Sequence, residues 1–196
     1  MQAARRQVVV DSLWVHQHKL HLRFHVEGLL DDKAIQGLER GFTSEVNHLV
    51  QLWQVKGVLS QVVETRPVII RIYHDNGSQK FAIVTETESR LTSQIETLRQ
   101  MSTTVPELVV ADASRLEADA RFFVTISTLF QPISDETYGE LRAWVSGRSR
   151  SNGGHSVKRG RFFGFLFDLL GFGDRALQVR TGTFYLDRSG SLHYLE

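Results

Sequence analysis

Apolar and polar residues alternate along much of the first half of the chain, and this period-two pattern predicts β-strands with one buried face. The clearest example is the segment 19–27. Its alternation places one set of side chains toward a core: Leu20, Leu22, Phe24 and Val26. The other set faces solvent: Lys19, His21, Arg23 and His25. The apolar segment 8–15 predicts the partner strand, with residues 16–18 as the hairpin bend.

Further strands follow from the same pattern. The segment 44–55 predicts a strand with one apolar-rich face, made of Val46, His48, Val50 and Leu52. The segments 62–74 and 80–86 flank Asn76-Gly77, a dipeptide that predicts a type I′ hairpin turn. The segment 121–130 is partly apolar on both faces, which indicates a central strand. A closing hairpin is predicted from two further segments, 178–186 and 191–195.

A short helix is predicted after the second strand. Asp31-Asp32 supplies an N-cap for it, because an aspartate side chain accepts hydrogen bonds from the first free amides of a helix. Ile35 and Leu38 have helical spacing, and Gly41 marks the end.

Two longer helices are predicted farther along the chain. The segment 89–101 has apolar residues at helical spacing, with Ser89 or Thr92 as its cap. Pro106 prevents any continuation of that helix. A third helix begins at Ser134.

Strands outnumber helices and follow one another as hairpins, not as strand–helix–strand crossovers. The sequence therefore predicts an α+β fold that is mainly antiparallel β, a sandwich-like sheet with two or three peripheral helices. A chain of 196 residues suits one domain. Its predicted parts are a β-rich globular domain over 1–146, a basic Gly/Ser-rich loop or linker over 147–160, and an apolar helix or lid plus the closing hairpin of the same domain over 161–196.

Basic and acidic residues are nearly equal in number, 23 against 22, so the formal net charge is +1. This balance gives the chain no global attraction for nucleic acid, and no nucleic-acid partner is expected. The charges are nevertheless segregated along the sequence. Residues 142–161, the basic stretch, contain six basic residues and no acidic one, which leaves the rest of the chain at −5.

The basic stretch leads directly into residues 162–172, the apolar run. Taken as a helix, the segment 162–175 places Gly164, Asp168, Gly171 and Arg175 on one narrow stripe, and apolar side chains cover the rest. Such a surface is too apolar to face water alone. Whether the run forms a helix or a strand stays open, because a short apolar run is ambiguous by periodicity.

Three environments fit the apolar run: the domain's own core or a lid, a membrane interface, and a groove on a partner protein. At a membrane interface the aromatic face would be buried among lipids, and the preceding cations would meet anionic headgroups. The residues predicted to contact a membrane or partner are Arg148, Arg150, Lys158, Arg159, Arg161, Phe162, Phe163, Phe165, Leu166, Phe167, Leu169, Leu170 and Phe172.

Catalytic motifs are missing from the sequence. There is no Gly-x-Ser-x-Gly, no Walker loop, no His-Glu-x-x-His and no Gly-x-Gly-x-x-Gly, and the lack of cysteine excludes thiol nucleophiles and zinc–thiolate sites. We therefore expect a non-enzymatic protein without catalytic residues or cofactors.

Four histidines near the N-terminus are the best candidates for metal ligands: His16, His18, His21 and His25. On an extended strand His21 and His25 lie about 13 Å apart, which is too far to share one ion. No acidic residue interleaves with the four to complete a site. The sequence therefore predicts a polar hairpin tip and a solvated strand face instead of a metal centre.

Targeting segments are also not recognisable. The first residues contain no apolar stretch typical of a signal peptide, and nowhere do about 18 apolar residues run together, the length of a membrane-spanning helix. Neither a signal peptide nor a transmembrane helix is therefore expected within this chain.

The order of several short motifs resembles a bacterial family of exported, envelope-associated proteins of unknown function. The resemblance covers about residues 8–145 and rests on five features: Leu20-His-Leu-Arg-Phe24, Gly28-Leu-Leu-Asp-Asp32, Gly41 before a strand that ends Leu52-Trp53, the strand 122–130, and Pro132-Ile-Ser134. It implies a periplasmic or cell-envelope location. It implies no reaction and no functional residues.

Two functions follow as expectations. The first is a non-enzymatic, envelope-associated binding or scaffolding module whose segment 142–172 contacts an anionic membrane surface or a membrane protein. The alternative is a carrier of a small apolar ligand, or a hydrolase, with a pocket inside the β-sheet and the apolar run as its lid.

Overall fold

The computed structural model describes residues 6–133 and 177–195. Within these ranges the chain forms eleven strands, two helices and one short 3-10 turn. The strands are β1 (Gln7–His16), β2 (Lys19–Glu27), β3 (Thr43–Lys56), β4 (Leu59–Asp75), β5 (Lys80–Val84), β6 (Ser89–Thr92), β7 (Thr104–Asp112), β8 (Arg121–Ile133), β9 (Leu177–Arg180), β10 (Phe184–Leu186) and β11 (Leu192–Tyr194). The helices are α1 (Asp32–Glu39) and α2 (Ile95–Thr103), and the 3-10 turn is Ala113–Arg115.

The strands form two sheets, and every described pairing is antiparallel. The small sheet has the order β1-β2-β7. The large sheet has the order β11-β10-β8-β3-β4-β5-β6, and β9 pairs with β8 as well. The predicted fold class, α+β and mainly antiparallel β, is confirmed.

The inner faces of the two sheets share one hydrophobic core. From β2, the alternation predicted at 19–27 buries the expected side chains, with Phe24 completely inaccessible to water. Its ring meets the imidazole of His48 on β3 edge to face, with 5.1 Å between ring centroids. Nearer the end of this core, the Arg66 Nε of β4 donates a hydrogen bond of 3.0 Å to the Val110 carbonyl oxygen of β7. The two layers are therefore joined by contacts between side chains and by a hydrogen bond from one sheet to the other.

The type I′ turn lies in a different hairpin from the one predicted. Gln17 and His18 both have positive φ, as a two-residue turn between β1 and β2 requires. The β4–β5 hairpin instead turns through four residues, of which only Gln79 has positive φ, so the type I′ prediction at Asn76-Gly77 is wrong. The reason is Asp75, whose carboxylate accepts hydrogen bonds from two backbone amides and a hydroxyl of this turn.

Helix α1 is as predicted. The Asp31 side chain accepts a hydrogen bond of 2.9 Å from the Ala34 amide, and this bond lowers the pKa of the Asp31 carboxyl, with a smaller contribution from Arg6. Ile35 and Leu38 are buried against the core.

The prediction of a single helix over 89–101 is wrong at its beginning. Ser89–Thr92 is the edge strand β6, and α2 begins only at Ile95. The physical reason is that the backbone of this segment completes the hydrogen bonding of β5, for example opposite Ala82, and this pairing overrides the helical spacing of Leu91. Leu98 is fully buried, as the pattern requires.

Strand β7 was not predicted, because Pro106 suggested a break. The structure places Pro106 at the irregular part of the β2–β7 pairing, between the pairs Leu22–Leu108 and Phe24–Val105. A proline is tolerated there because β7 is an edge strand and the ladder does not need its missing amide.

The C-terminal segment forms more strand pairings than the single predicted hairpin. The predicted strand 178–186 is divided into β9 and β10, and both pair with β8. The β10–β11 hairpin is present as predicted. Strand β8 is central, also as predicted, because it lies between β3 on one side and these two short strands on the other.

Residues 134–176, which we call the connection, join two strands that are direct neighbours. Leu177 of β9 pairs with Thr128 of β8, and Arg180 pairs with Thr125. The predicted helix after Ser134, the linker 147–160 and the apolar run all fall in the connection, outside the described residues.

Candidate functional site

All the residues predicted from sequence to contact a membrane or partner, from Arg148 to Phe172, lie outside the described ranges. What the structure shows is where their segment leaves and re-enters the fold. It leaves after Ile133 at the end of β8 and returns at Leu177 at the start of β9, next to the same strand.

The histidines of the first hairpin are spread over different environments. His16 and His18 are exposed at the hairpin tip, as predicted. His25 is half-buried, and its Nδ1 lies 2.9 Å from an Asp11 carboxylate oxygen. In the described ranges, no group of three or more His, Asp or Glu side chains is arranged to hold a metal ion.

His21 corrects the prediction of a solvated strand face, because only 5% of it is exposed. The Trp14 indole of β1 stacks on its ring with 5.3 Å between centroids. Its Nδ1 lies 2.8 Å from a Glu107 carboxylate oxygen of β7, but outside the angular range of a hydrogen bond. The side chains of the two neighbouring strands therefore cover an imidazole that the alternation alone places in solvent.

His48 is the most deeply buried titratable group described, with 2% of its surface exposed. Its Nδ1 lies 2.8 Å from the Thr128 hydroxyl oxygen, whereas its Nε2 has no hydrogen-bond partner. Burial lowers the pKa of His48 to about 4, because the charged imidazolium would lose its hydration between the sheets. His48 is therefore neutral at pH 7.

A cleft of about 710 Å³ opens where the β1–β2 turn faces the β10–β11 turn. Its apolar side chains come from both sheets and from the segment after β7: Val15, Leu116, Leu186 and Leu192. Polar side chains of the same three segments also line it, including His18, Ser114 and Arg188. About half of the lining residues are polar or charged, so the cleft offers both apolar and polar contacts to a small molecule.

The β10–β11 wall of the cleft is organised by Asp187. Its carboxylate accepts hydrogen bonds from the Ser189 amide at 2.8 Å, the Ser191 amide at 3.0 Å and the Ser189 hydroxyl at 2.5 Å. His193 Nε2 lies 2.9 Å from the same carboxylate. The Ser189 hydroxyl first, and then His193, hold the pKa of Asp187 well below its usual range. Hydrogen bonds to the Asp187 carboxylate therefore fix the geometry of this turn.

Serine, histidine and aspartate meet at this turn, but not in the order of a catalytic triad. The Ser189 hydroxyl donates to Asp187, and His193 contacts the same carboxylate and stacks on Tyr185. A hydrolase needs the histidine between the serine and the aspartate, so that the imidazole takes the hydroxyl proton. The arrangement therefore stabilises a turn and does not activate a nucleophile.

Sequence reasoning missed the cleft because no single segment carries it. Its lining residues come from three segments, 15–18, 113–118 and 186–192, which only the pairing of the sheets brings together. The one local signal was the turn after Leu186, and that turn predicted a hairpin without indicating what it faces.

The longest hairpin, β3–β4, ends in an exposed apolar tip. Val58 is completely exposed, and 73% of Leu59 is exposed. The tip lies at the opposite end of β3 from Thr43, which pairs with Ile133, so it is far from the start of the connection. Neither described helix is long and apolar enough to cross a bilayer.

The functional evidence in the described ranges is thus a cleft, two buried histidines, His21 and His48, and an exposed hairpin tip. The connection adds a sequence that is basic and aromatic. None of these features contains a recognisable catalytic arrangement. The chain matches no protein-family model, no curated protein and no solved structure.

Proposed function

We propose that this protein is a non-enzymatic binding or scaffolding module of the bacterial cell envelope, and that its segment 142–172 contacts an anionic membrane surface or a membrane-protein partner. The observation that carries the proposal is the position of this segment. The whole basic stretch and the whole apolar run lie in one connection between two neighbouring antiparallel strands.

The pairing of β8 with β9 supports a role for segment 142–172 other than building the sheet. Four consecutive residue pairs, from Thr128–Leu177 to Thr125–Arg180, join the two strands directly. Antiparallel neighbours need only a short turn to connect them. The long connection is therefore an insertion that the pairing of β8 with β9 does not require.

Charge also supports an external partner for the basic stretch. The described residues carry 15 basic and 16 acidic side chains, so they have almost no net charge. Many of these charges already form pairs, such as Arg71 with Glu45 and Arg99 with Asp32. Each Lys or Arg close to an anionic membrane contributes about 1 kcal/mol, so several residues of the basic stretch together provide substantial binding.

The apolar run supplies the second signal that stable membrane contact requires. Electrostatic attraction holds a segment near the headgroups, and aromatic side chains that enter the interface add the hydrophobic contribution. The envelope location is suggested by the resemblance of residues 8–145 to exported bacterial proteins.

Co-sedimentation with lipid vesicles tests the proposal. We expect the protein to pellet with phosphatidylcholine vesicles that contain phosphatidylglycerol, and to stay in the supernatant with phosphatidylcholine alone. Raising the salt concentration should release it, because salt screens exposed charges. The double variant Phe163→Ser/Phe167→Ser should bind weakly, whereas Phe42→Ser, which removes an exposed phenylalanine elsewhere, should bind like the wild type.

Two results would contradict this proposal. Wild-type protein that remains in the supernatant with both kinds of vesicle would exclude membrane contact. A double variant that unfolds, as measured by circular dichroism, would show that the apolar run belongs to the protein's own core.

The cleft favours a second candidate function, the carriage of a small ligand. Its volume of about 710 Å³ and its partly apolar lining suit a small molecule. A native mass spectrum of the purified protein tests this candidate: a co-purified small molecule would support it.

A further inference from the structure

We propose that the cleft between the β1–β2 and β10–β11 turns binds a small molecule with an apolar body and an anionic end, such as a short carboxylate. This inference deepens the second candidate function, the carriage of a small ligand, and rests on it.

The apolar part of the cleft accounts for the body of the ligand. Leu116 and Leu192 are half-buried and pack against the hydrophobic core, while their remaining surface lines the cleft. Leu186 lies beside them and is almost completely buried. A short hydrocarbon chain placed on these side chains would be removed from water, which is favourable by roughly 25 cal/mol for each Å² that is buried.

Two carboxylates next to the cleft, Asp187 and Asp112, are already satisfied by hydrogen bonds close to them in the chain. Asp187 accepts the three hydrogen bonds described above, and His193 Nε2 lies 2.9 Å from its other oxygen. Asp112, beside His18, accepts hydrogen bonds from the amide and the hydroxyl of Ser114. Because donors within the turns occupy their oxygens, these two groups offer little to a cationic ligand.

The basic groups are arranged differently. In the described part of the chain, Arg188 has a single charged neighbour, Asp119, at 4.0 Å, and both side chains are largely exposed. An ion pair of this kind is weak, so the guanidinium remains able to bind another anion. His18 lies across the cleft, in a turn whose positive φ angles fix its backbone. A guanidinium donates two parallel hydrogen bonds to a carboxylate, which matches an anionic end.

A titration with three ligands of equal length tests the proposal: hexanoate, hexanol and hexylamine, which share an apolar chain and differ in charge. Binding is followed by ¹⁵N–¹H correlation spectra of the full chain. Hexanoate should shift the amides of residues 113–118 and 186–192 and bind more tightly than hexanol, and hexylamine should bind most weakly. The substitution Arg188→Gln, at an exposed site, should weaken the binding of hexanoate by about threefold and leave the binding of hexanol unchanged. Arg40→Gln, which removes an exposed cation near the opposite end of β3 from the cleft, should change neither.

The possible failures are distinguishable. Equal binding of the three ligands at the cleft would overturn recognition of the anionic end and leave the carrier function standing. No shift at the cleft with any ligand would overturn both. An Arg188→Gln protein that binds hexanoate like the wild type would exclude Arg188 as the anion-binding group.

Discussion

Replacement of Phe24 by alanine should lower the free energy of unfolding by about 3–5 kcal/mol, the range found when a fully buried phenylalanine is truncated. Phe24 lies on the inner face of β2 and is completely inaccessible to water. It pairs across the small sheet with Val10 and Val105, and its ring contacts His48 of the large sheet. Truncation therefore removes contacts within one sheet and between the two sheets, and it leaves a cavity that rigid strands do not fill.

Urea denaturation followed by circular dichroism measures this effect. The matched control is Leu59→Ala at the exposed hairpin tip, which should change the free energy of unfolding by less than about 0.5 kcal/mol. A Phe24→Ala protein as stable as the control would mean that the two sheets do not share the core described above.

Acidification from pH 7 to pH 4 should remove about 3 kcal/mol of stability through His48 alone. The pKa of His48 is about 4 in the folded protein, whereas the ordinary value is 6.5. Between these two values the unfolded chain binds a proton that the folded protein excludes, so stability falls as the pH falls. The contribution is fully present above pH 6.5 and is lost progressively down to pH 4.

The variant His48→Leu isolates this effect. It leaves the buried Thr128 hydroxyl without its partner, so its stability should be lower at pH 7. Its loss of stability between pH 7 and pH 4 should nevertheless be smaller than that of the wild type by about 3 kcal/mol. His16→Gln removes an exposed histidine and should keep the wild-type pH dependence. Equal pH dependence in the wild type and His48→Leu would contradict the burial of a neutral imidazole.

The parts of the fold that depend on residues close together in the sequence were predictable. The alternation over 19–27 identified β2 because the two faces of that strand have different environments, and the aspartates before α1 identified its cap. The type of the β4–β5 turn was not predictable from Asn76-Gly77, because Asp75 binds the turn amides and selects another geometry.

Long-range pairing explains the remaining differences. From the sequence alone, Pro106 suggests a break after a helix, whereas in the fold this segment is the strand β7 because it pairs with β2. The hydrogen bond from Arg23 to the Pro106 carbonyl joins residues 83 positions apart. His21 is covered from two strands, one of which is β7. The cleft depends on three separate segments. Composition and periodicity describe each segment alone, so they do not report which distant segments meet.

An intramolecular role for the apolar run competes with membrane or partner contact. Leu49 of β3 and Leu129 of β8 point to the outer face of the large sheet, away from the shared core, and yet only 9% and 6% of their surfaces are exposed. If the apolar run contributes to the stability of this face, removing the run will destabilise the protein.

The most direct test of the central claim is to replace residues 134–176 with a Gly/Ser linker and measure both stability and vesicle binding. Thr128, the partner of Leu177, lies five residues before Ile133, a span of about 17 Å along the strand, which a flexible linker of about ten residues covers. We expect the shortened protein to keep the wild-type denaturation midpoint and to lose binding to vesicles that contain phosphatidylglycerol. A shortened protein that unfolds, or one that still binds these vesicles, would contradict the central claim.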